Sequence, residues 1–174
     1  MAANVGDGAR RPLFWMVLGA VIVLDFVTKS LAVTHLGRVP EPVLGSWLML
    51  RLVRNPGAAF GIHAGEYSRV VFTVLALVAL VVLALMVRET RRGQTARLLA
   101  LALVCGGAVG NLIDRFTSTQ GVVDFIDVWI GSFHWPTFNV ADMGVSCGAV
   151  LLALVLWHEG RERQPHGPPP APVR

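Results

Sequence analysis

With 174 residues, 54% of them hydrophobic and only 15% charged, and a mean hydropathy of +0.60, the chain is too apolar for a soluble domain of its size. Its length allows one domain, and the apolar residues gather in long runs, as membrane spans require. The formal charge of +4 and the pI near 10.0 do not point to nucleic acid, because the arginines cluster beside those runs, where they set topology.

Four stretches are predicted spans, at about 13–33, 70–87, 98–114 and 140–157, each close to the roughly 17–25 residues a bilayer demands. The first begins like a signal peptide, with Arg10 and Arg11 ahead of an apolar run. Asp25 and Lys29 interrupt it and no small-residue cleavage site follows, so it reads as a retained helix. Segment 34–69 comes next, with apolar and polar residues alternating from Leu48 to Val53. Arg88, Arg91, Arg92 and Arg97 then crowd the link between the second and third spans, and Arg161 and Arg163 follow the fourth. These ends and both termini are therefore expected in the cytoplasm, although Arg38, Arg51, Arg54 and Arg69 run against the bias.

Segments 34–69 and 115–139 then lie outside. In the second, Val122 to Ile130 and Phe133 to Phe138 flank a Gly131-Ser132 turn suited to a hairpin, predicting a small sheet on the membrane. From Gln164 the run PHGPPPAP can neither pack nor form helix, so residues 1–160 read as one membrane domain and 161–174 as a disordered cytoplasmic tail. Cys105 and Cys147 lie inside apolar runs and read as small hydrophobes without a disulfide.

Ionisable groups inside a membrane are costly, so their depth matters. At ~1.5 Å per residue, Asp25 lies about 18 Å and Lys29 about 24 Å above the inner end of the first span, on one face. On the third span Asn111 is roughly 20 Å up, and Asp114 and Arg115 roughly 25 Å up. Asn139 and Asp142 belong to the first turn of the fourth span, which enters from outside. Three helices thus present polar faces at one depth, implying a site toward the outer leaflet. Gly106, Gly107, Ala108 and Gly110 would let the third helix pack closely enough to bring those faces together.

The carboxylates at or beyond that boundary are Asp114, Asp124, Asp127 and Asp142, in the company of Asn55, Asn111, Asn139 and Arg115. Two aspartates held close cannot both ionise comfortably; the ionised one can activate water while the protonated one polarises a carbonyl. The histidines are scattered and no HExxH, CxxC or GxSxG element occurs, so no metal or cofactor is expected. Structural roles compete: Asn139 and Asp142 also read as a helix cap, Asp25 with Lys29 and Asp114 with Arg115 as ion pairs, and Asp127 as a solvated strand residue. Spacing alone does not choose among the carboxylates. A transporter or proton-conducting bundle using Asp25, Lys29 and Asp114, and an assembly protein packing through its Gly-rich third helix, remain open on these grounds.

Five segments occur in order over residues 25–142: DFVTK at 25–29, RNPGAAFG at 54–61, GGAVGNLIDR at 106–115, VVDFID at 122–127 and FNVAD at 138–142. Together they resemble the lipoprotein signal peptidases, or signal peptidase II. The resemblance implies an all-α membrane protein: four transmembrane helices with a small extracytoplasmic β-cradle, and an outer loop bearing a short helix. It implies Asp124 and Asp142 as the catalytic dyad, with Asn55, Asn111, Arg115 and Asn139 lining the cleft and Asp25, Lys29 and Asp114 in support. Gly57, Ala58 and Ala59 would let the outer loop approach the site, with Phe60 as an apolar contact. The implied setting is the bacterial cytoplasmic membrane, where a monomer without cofactor meets membrane lipid and diacylglyceryl-modified prolipoproteins, cutting immediately before the lipidated cysteine.

Overall fold

The computed structural model describes residues 11–57, 65–91 and 93–162. Ala58, Ala59 and Phe60 of the outer loop, and the Pro-rich tail, lie outside the described residues.

A chain in hydrocarbon must satisfy its own backbone hydrogen bonds, so each apolar run forms a helix. These are α1 (Arg11–His35), α2 (Ser68–Glu89), α3 (Thr95–Thr117) and α4 (Val140–Glu162), all four long and apolar enough to cross a membrane. Most of their ends run a few residues past the predicted spans, because helical hydrogen bonding continues into the polar residues flanking the apolar core. α2 presents Val70, Val74, Leu75, Val78, Val81 and Val82 outward, as expected where lipid is the solvent.

Four antiparallel strands complete the fold in the order β1-β2-β3-β4: β1 (Glu41–Leu44), β2 (Leu48–Asn55), β3 (Val122–Ile130) and β4 (Phe133–Phe138). The anticipated β3–β4 hairpin forms, with Gly131 at φ +63° in its turn, a left-handed conformation glycine adopts without strain. The unanticipated β1 is a short exposed edge strand containing Pro42, which such an edge tolerates. The short outer helix is a three-residue 3-10 turn, Gly65–Tyr67, leading directly into α2.

α3 is the central helix, packing against α1, α2 and α4. Its glycines make this possible. A Cβ on Gly106 would lie 2.9 Å from the Cβ of Val21 in α1; one on Gly107 would strike the Ala141 carbonyl oxygen and lie 2.8 Å from Val145 in α4. One on Gly110 would come within 2.7 Å of the Asp25 carboxylate. Phe14, Leu83, Leu98, Leu101, Ala102 and Cys105 fill the bundle at the α2–α3 end, while Ala32, Val123 and Phe125 fasten α1 to the sheet at the other. At the α2–α3 end, Gln94 Nε2 (2.7 Å) and Arg97 Nη1 (3.3 Å) bind Glu159 and tie that turn to α4.

Gly107→Ala should destabilise the protein by about 1–3 kcal/mol, since backbone in α4 must move to admit one methyl group. Gly19→Ala, where a Cβ would meet nothing within 4 Å, should leave stability unchanged or raise it. Melting temperatures of both variants in detergent test the difference; equal effects would mean that close approach at Gly107 is not what packs the bundle.

Candidate active site

The polar residues of α1, α3 and α4 meet where α3 ends and α4 begins, against the sheet. Lys29 stands at the centre. Its ammonium reaches Asp25 at 2.7 Å, Asp114 at 3.0 Å and the Asn111 side-chain oxygen at 2.9 Å. Three acceptors match its three donors, which is what a buried ammonium requires. Each carboxylate is used again: Asp25 Oδ1 accepts the Ala141 N–H (2.8 Å) in the first turn of α4, and Asp114 Oδ2 accepts the Val123 N–H (3.0 Å). Asp25 and Lys29 thus form the anticipated pair, whereas Asp114 takes Lys29 and not Arg115 as its partner. Neighbouring helical residues point about 100° apart, so one carboxylate that faces α1 leaves its neighbour facing elsewhere.

Because Lys29 only donates, Asn111 must present its oxygen to it, and the Asn111 amide then donates to Asp142 Oδ1 at 2.7 Å. Asn139 and Asp142 form a reciprocal cap at the start of α4. The Asp142 N–H donates to Asn139 Oδ1 (2.9 Å) and the Asn139 N–H to Asp142 Oδ2 (3.1 Å). With its oxygen so committed, Asn139 aims its amide at Asp124 Oδ1 (2.7 Å), Asn111 Oδ1 (3.1 Å) and the Val123 carbonyl (3.2 Å). The other Asp124 oxygen accepts from Asn55 Nδ2 (3.0 Å), and Asn55 is oriented by accepting the Gly57 N–H (3.0 Å). Capping and site-building are therefore one arrangement, with Asn139 holding both Asp124 and Asp142.

Burial and, after it, the negative charge of Asp142 push the Asp124 carboxyl up to about 7, against the downward pull of the Asn55 and Asn139 hydrogen bonds and of Lys29. Arg115 donates to the Asn111 carbonyl (3.1 Å) and lies within electrostatic reach of Asp142, Asp124 and Asp114. Its own carbonyl is bound by Arg69 Nε at 2.9 Å, which joins the start of α2 to the end of α3. The positive side chain of Arg69 suits that helix end, a role its sequence neighbours give no sign of.

Asp127 is not solvated as its place in a strand suggested; it has no exposed surface at all. It accepts from His134 Nε2 (2.7 Å), Thr137 Oγ1 (2.9 Å), Arg51 Nη2 (3.0 Å) and Trp129 Nε1 (3.0 Å). Burial alone would raise its pKa; the hydrogen bonds from His134, Trp129 and Thr137, with the charge of Arg51, outweigh that and hold it below the usual carboxylate range. These partners meet only through strand register, which residue spacing does not reveal. A proton path across the bundle also lacks support, because below Asp25 the packing of Val21 on Gly106 and Gly144 is apolar.

Lys29→Met should cost about 3–5 kcal/mol by leaving Asp25 and Asp114 buried without their cation, read as a fall in melting temperature. Asp124 binds its proton more tightly folded, at about 7, than at its ordinary 3.8. That contribution is complete below the ordinary value and is lost as pH rises through 7. Between pH 5 and pH 8 the unmodified protein should therefore lose about 2–3 kcal/mol that Asp124→Asn does not lose. Parallel melting curves for the two proteins at both pH values would show that Asp124 does not titrate this way.

A family model described as signal peptidase (SPase) II matches residues 17–158. The lipoprotein signal peptidase of Rhodococcus jostii is 42% identical over 158 residues, covering 84% of this chain and 73% of that one. That of Syntrophotalea carbinolica is 42% identical over 159 residues (90% and 98%), and that of Hydrogenovibrio crunogenus 46% over 143 (80% and 81%). Two bacterial membrane enzyme structures solved by the in meso method share the fold. One, at 2.3 Å, has a TM-score of 0.79 and 28% identity over 88% of this chain and 93% of that one. The other, at 1.9 Å, has a TM-score of 0.74 and 30% identity over 83% and 92%. Since the match runs from the first span through the sheet to the last span, the chain belongs to the signal peptidase II family of aspartic proteases, as a multi-pass membrane protein.

Proposed function

We propose that Asp124 and Asp142 are the catalytic dyad of an endopeptidase that removes the signal peptide from diacylglyceryl-modified prolipoproteins, cutting immediately before the lipidated cysteine. One observation carries this reading: two carboxylates from different elements hang on the same asparagine, Asn139, and one of them, Asp124, is biased to keep a proton near neutral pH. The substrate class is supported by the relatives, which are lipoprotein signal peptidases.

The chemistry follows from that bias. Asp142, ionised, takes a proton from water as the water oxygen attacks the scissile carbonyl carbon. Asp124, protonated, donates to the carbonyl oxygen as charge develops there. The tetrahedral intermediate collapses when the carbon–nitrogen bond breaks, the departing amine takes up a proton from the dyad, and the acid product leaves. Asn55, Asn111, Asn139 and Arg115 line the cleft, the first three by orienting the two carboxylates, Arg115 by offering charge to the substrate backbone. Asp25, Lys29 and Asp114 hold α1, α3 and α4 together beneath them.

The arginine-rich α2–α3 link at the opposite end of the bundle supports cytoplasmic termini and a site near the outer leaflet. There a signal helix and two acyl chains would remain in lipid while the peptide bond before the modified cysteine reaches the dyad. The enzyme acts as a monomer, with residues 1–160 as its working domain and the remaining tail cytoplasmic.

Gel-shift cleavage of a diacylglyceryl-modified prolipoprotein by the purified protein tests this directly. Asp124→Asn and Asp142→Asn, folded by melting curve, should each lose a factor on the order of 10²–10⁴ in rate. Normal cutting by both variants would rule out the dyad, and an intact lipidated substrate with the unmodified protein would rule out the protease reading.

A further inference from the structure

We infer that Asp127, clamped by Arg51, His134 and Thr137, is a positioning residue for this reaction, setting the register of β2, β3 and β4 so that Asn55 and Asn139 converge on Asp124. The inference rests on the Asp124–Asp142 reading.

Asp127 lies three residues beyond Asp124 in β3, an odd spacing that turns it to the opposite face of the strand. It therefore acts through other groups. Oδ1 binds both flanking strands, taking Arg51 from β2 and His134 and Thr137 from β4, while Oδ2 takes Trp129 from its own strand. Arg51 Nη2 also donates to Thr137 Oγ1 at 2.9 Å, closing the clamp across β3. Both pairings slip close by, β2 opposite Phe125 and β4 opposite Asp127 itself. Between β2 and β3 the register shifts from Leu50↔Ile126 to Val53↔Asp124, so Arg51 and Leu52 face one residue. Between β3 and β4 it shifts from Ile126↔Phe138 to Val128↔Trp135, so Pro136 and Thr137 face Asp127 alone.

Such irregularities re-aim the side chains that follow. Asp127 pins both. Four residues beyond Arg51, β2 delivers Asn55 to Asp124. Two residues beyond Thr137, where β4 passes into α4, Asn139 reaches Asp124. A one-residue slip in β2 would turn Asn55 to the wrong face, and one in β4 would shift the junction that carries Asn139. The clamp thus acts on the two amides that hold one catalytic carboxylate, and a displacement of about 1 Å there is enough to cost on the order of 100-fold in rate.

The test measures kcat, KM and the pH–rate profile on a diacylglyceryl-modified prolipoprotein with the full chain in detergent, for Asp127→Asn, Thr137→Val and their double variant, with Asp124→Asn alongside. Asp127→Asn should lower kcat roughly 10- to 100-fold with KM within about threefold, and Thr137→Val roughly 3- to 10-fold. The double variant should fall no further than Asp127→Asn, as members of one network do. The pH limb belonging to Asp124 should move upward in Asp127→Asn, because the Asn55 and Asn139 bonds that lower its pKa are weakened. A kcat and pH profile like those of the unmodified protein, or an effect confined to KM, overturns the inference. If Asp127→Asn does not fold, an unchanged kcat in Thr137→Val overturns it alone. An Asp124→Asn variant that cuts normally defeats the dyad instead; an inactive one beside unimpaired Asp127→Asn and Thr137→Val defeats only the positioning role.

Discussion

A buried ammonium must be surrounded by acceptors, and the rest of this structure is organised around meeting that need for Lys29. Its three partners come from α1 and α3, and each is committed a second time, Asp25 and Asn111 to the start of α4 and Asp114 to the start of β3. Satisfying one charge therefore joins three helices and the sheet at a single level. The arrangement is worth little as raw stability, because a desolvated ion pair barely recovers its hydration. What it supplies is a unique alignment, since any sliding or rotation of α1 against α3 leaves a charge unpaired.

That alignment is possible only because α3 carries glycine where it approaches α1 and α4 most closely. Gly106 and Gly110 face α1, and Gly107 faces α4 at Ala141. In a membrane no hydrophobic force drives helices together, so close packing and polar contacts must do so. Here the two work at one place: Gly110 makes room for the same Asp25 carboxylate that caps α4 and pairs with Lys29.

Two aspartates of β3 show how surroundings divide one residue type into two roles. Asp124 and Asp127 are both buried, three residues apart. Asp124 is pushed up to about 7 by burial and, after it, by the carboxylate of Asp142, which suits a group that must carry and release a proton. Asp127 is enclosed by four donors and held ionised, which suits a fixed anchor. Burial and then the charge of Asp142 prevail at the first, and the hydrogen bonds with the charge of Arg51 prevail at the second.

The sequence by itself determined the four spans, because hydropathy is a local property, and the β3–β4 hairpin, because Gly131 and the alternation around it are local too. It also determined that Asp25, Lys29, Asn111, Asp114, Arg115, Asn139 and Asp142 lie at one depth, since rise per residue converts position into height. The short edge strand with Pro42 carried no such signal. Depth, however, says nothing about azimuth. Whether Asp114 meets Lys29 or Arg115 depends on how α3 is turned, and the glycine contacts with α1 and α4 settle that turn. The clustering of Arg51, His134 and Thr137 on Asp127, and the aim of Asn55 and Asn139 at Asp124, depend on two register shifts in the sheet. Those partners of Asp127 lie from 7 residues away along the chain, for His134, to 76, for Arg51. Only the tertiary structure brings them within hydrogen-bonding distance, because helix rotation and strand register are properties of the packed assembly and of no single segment.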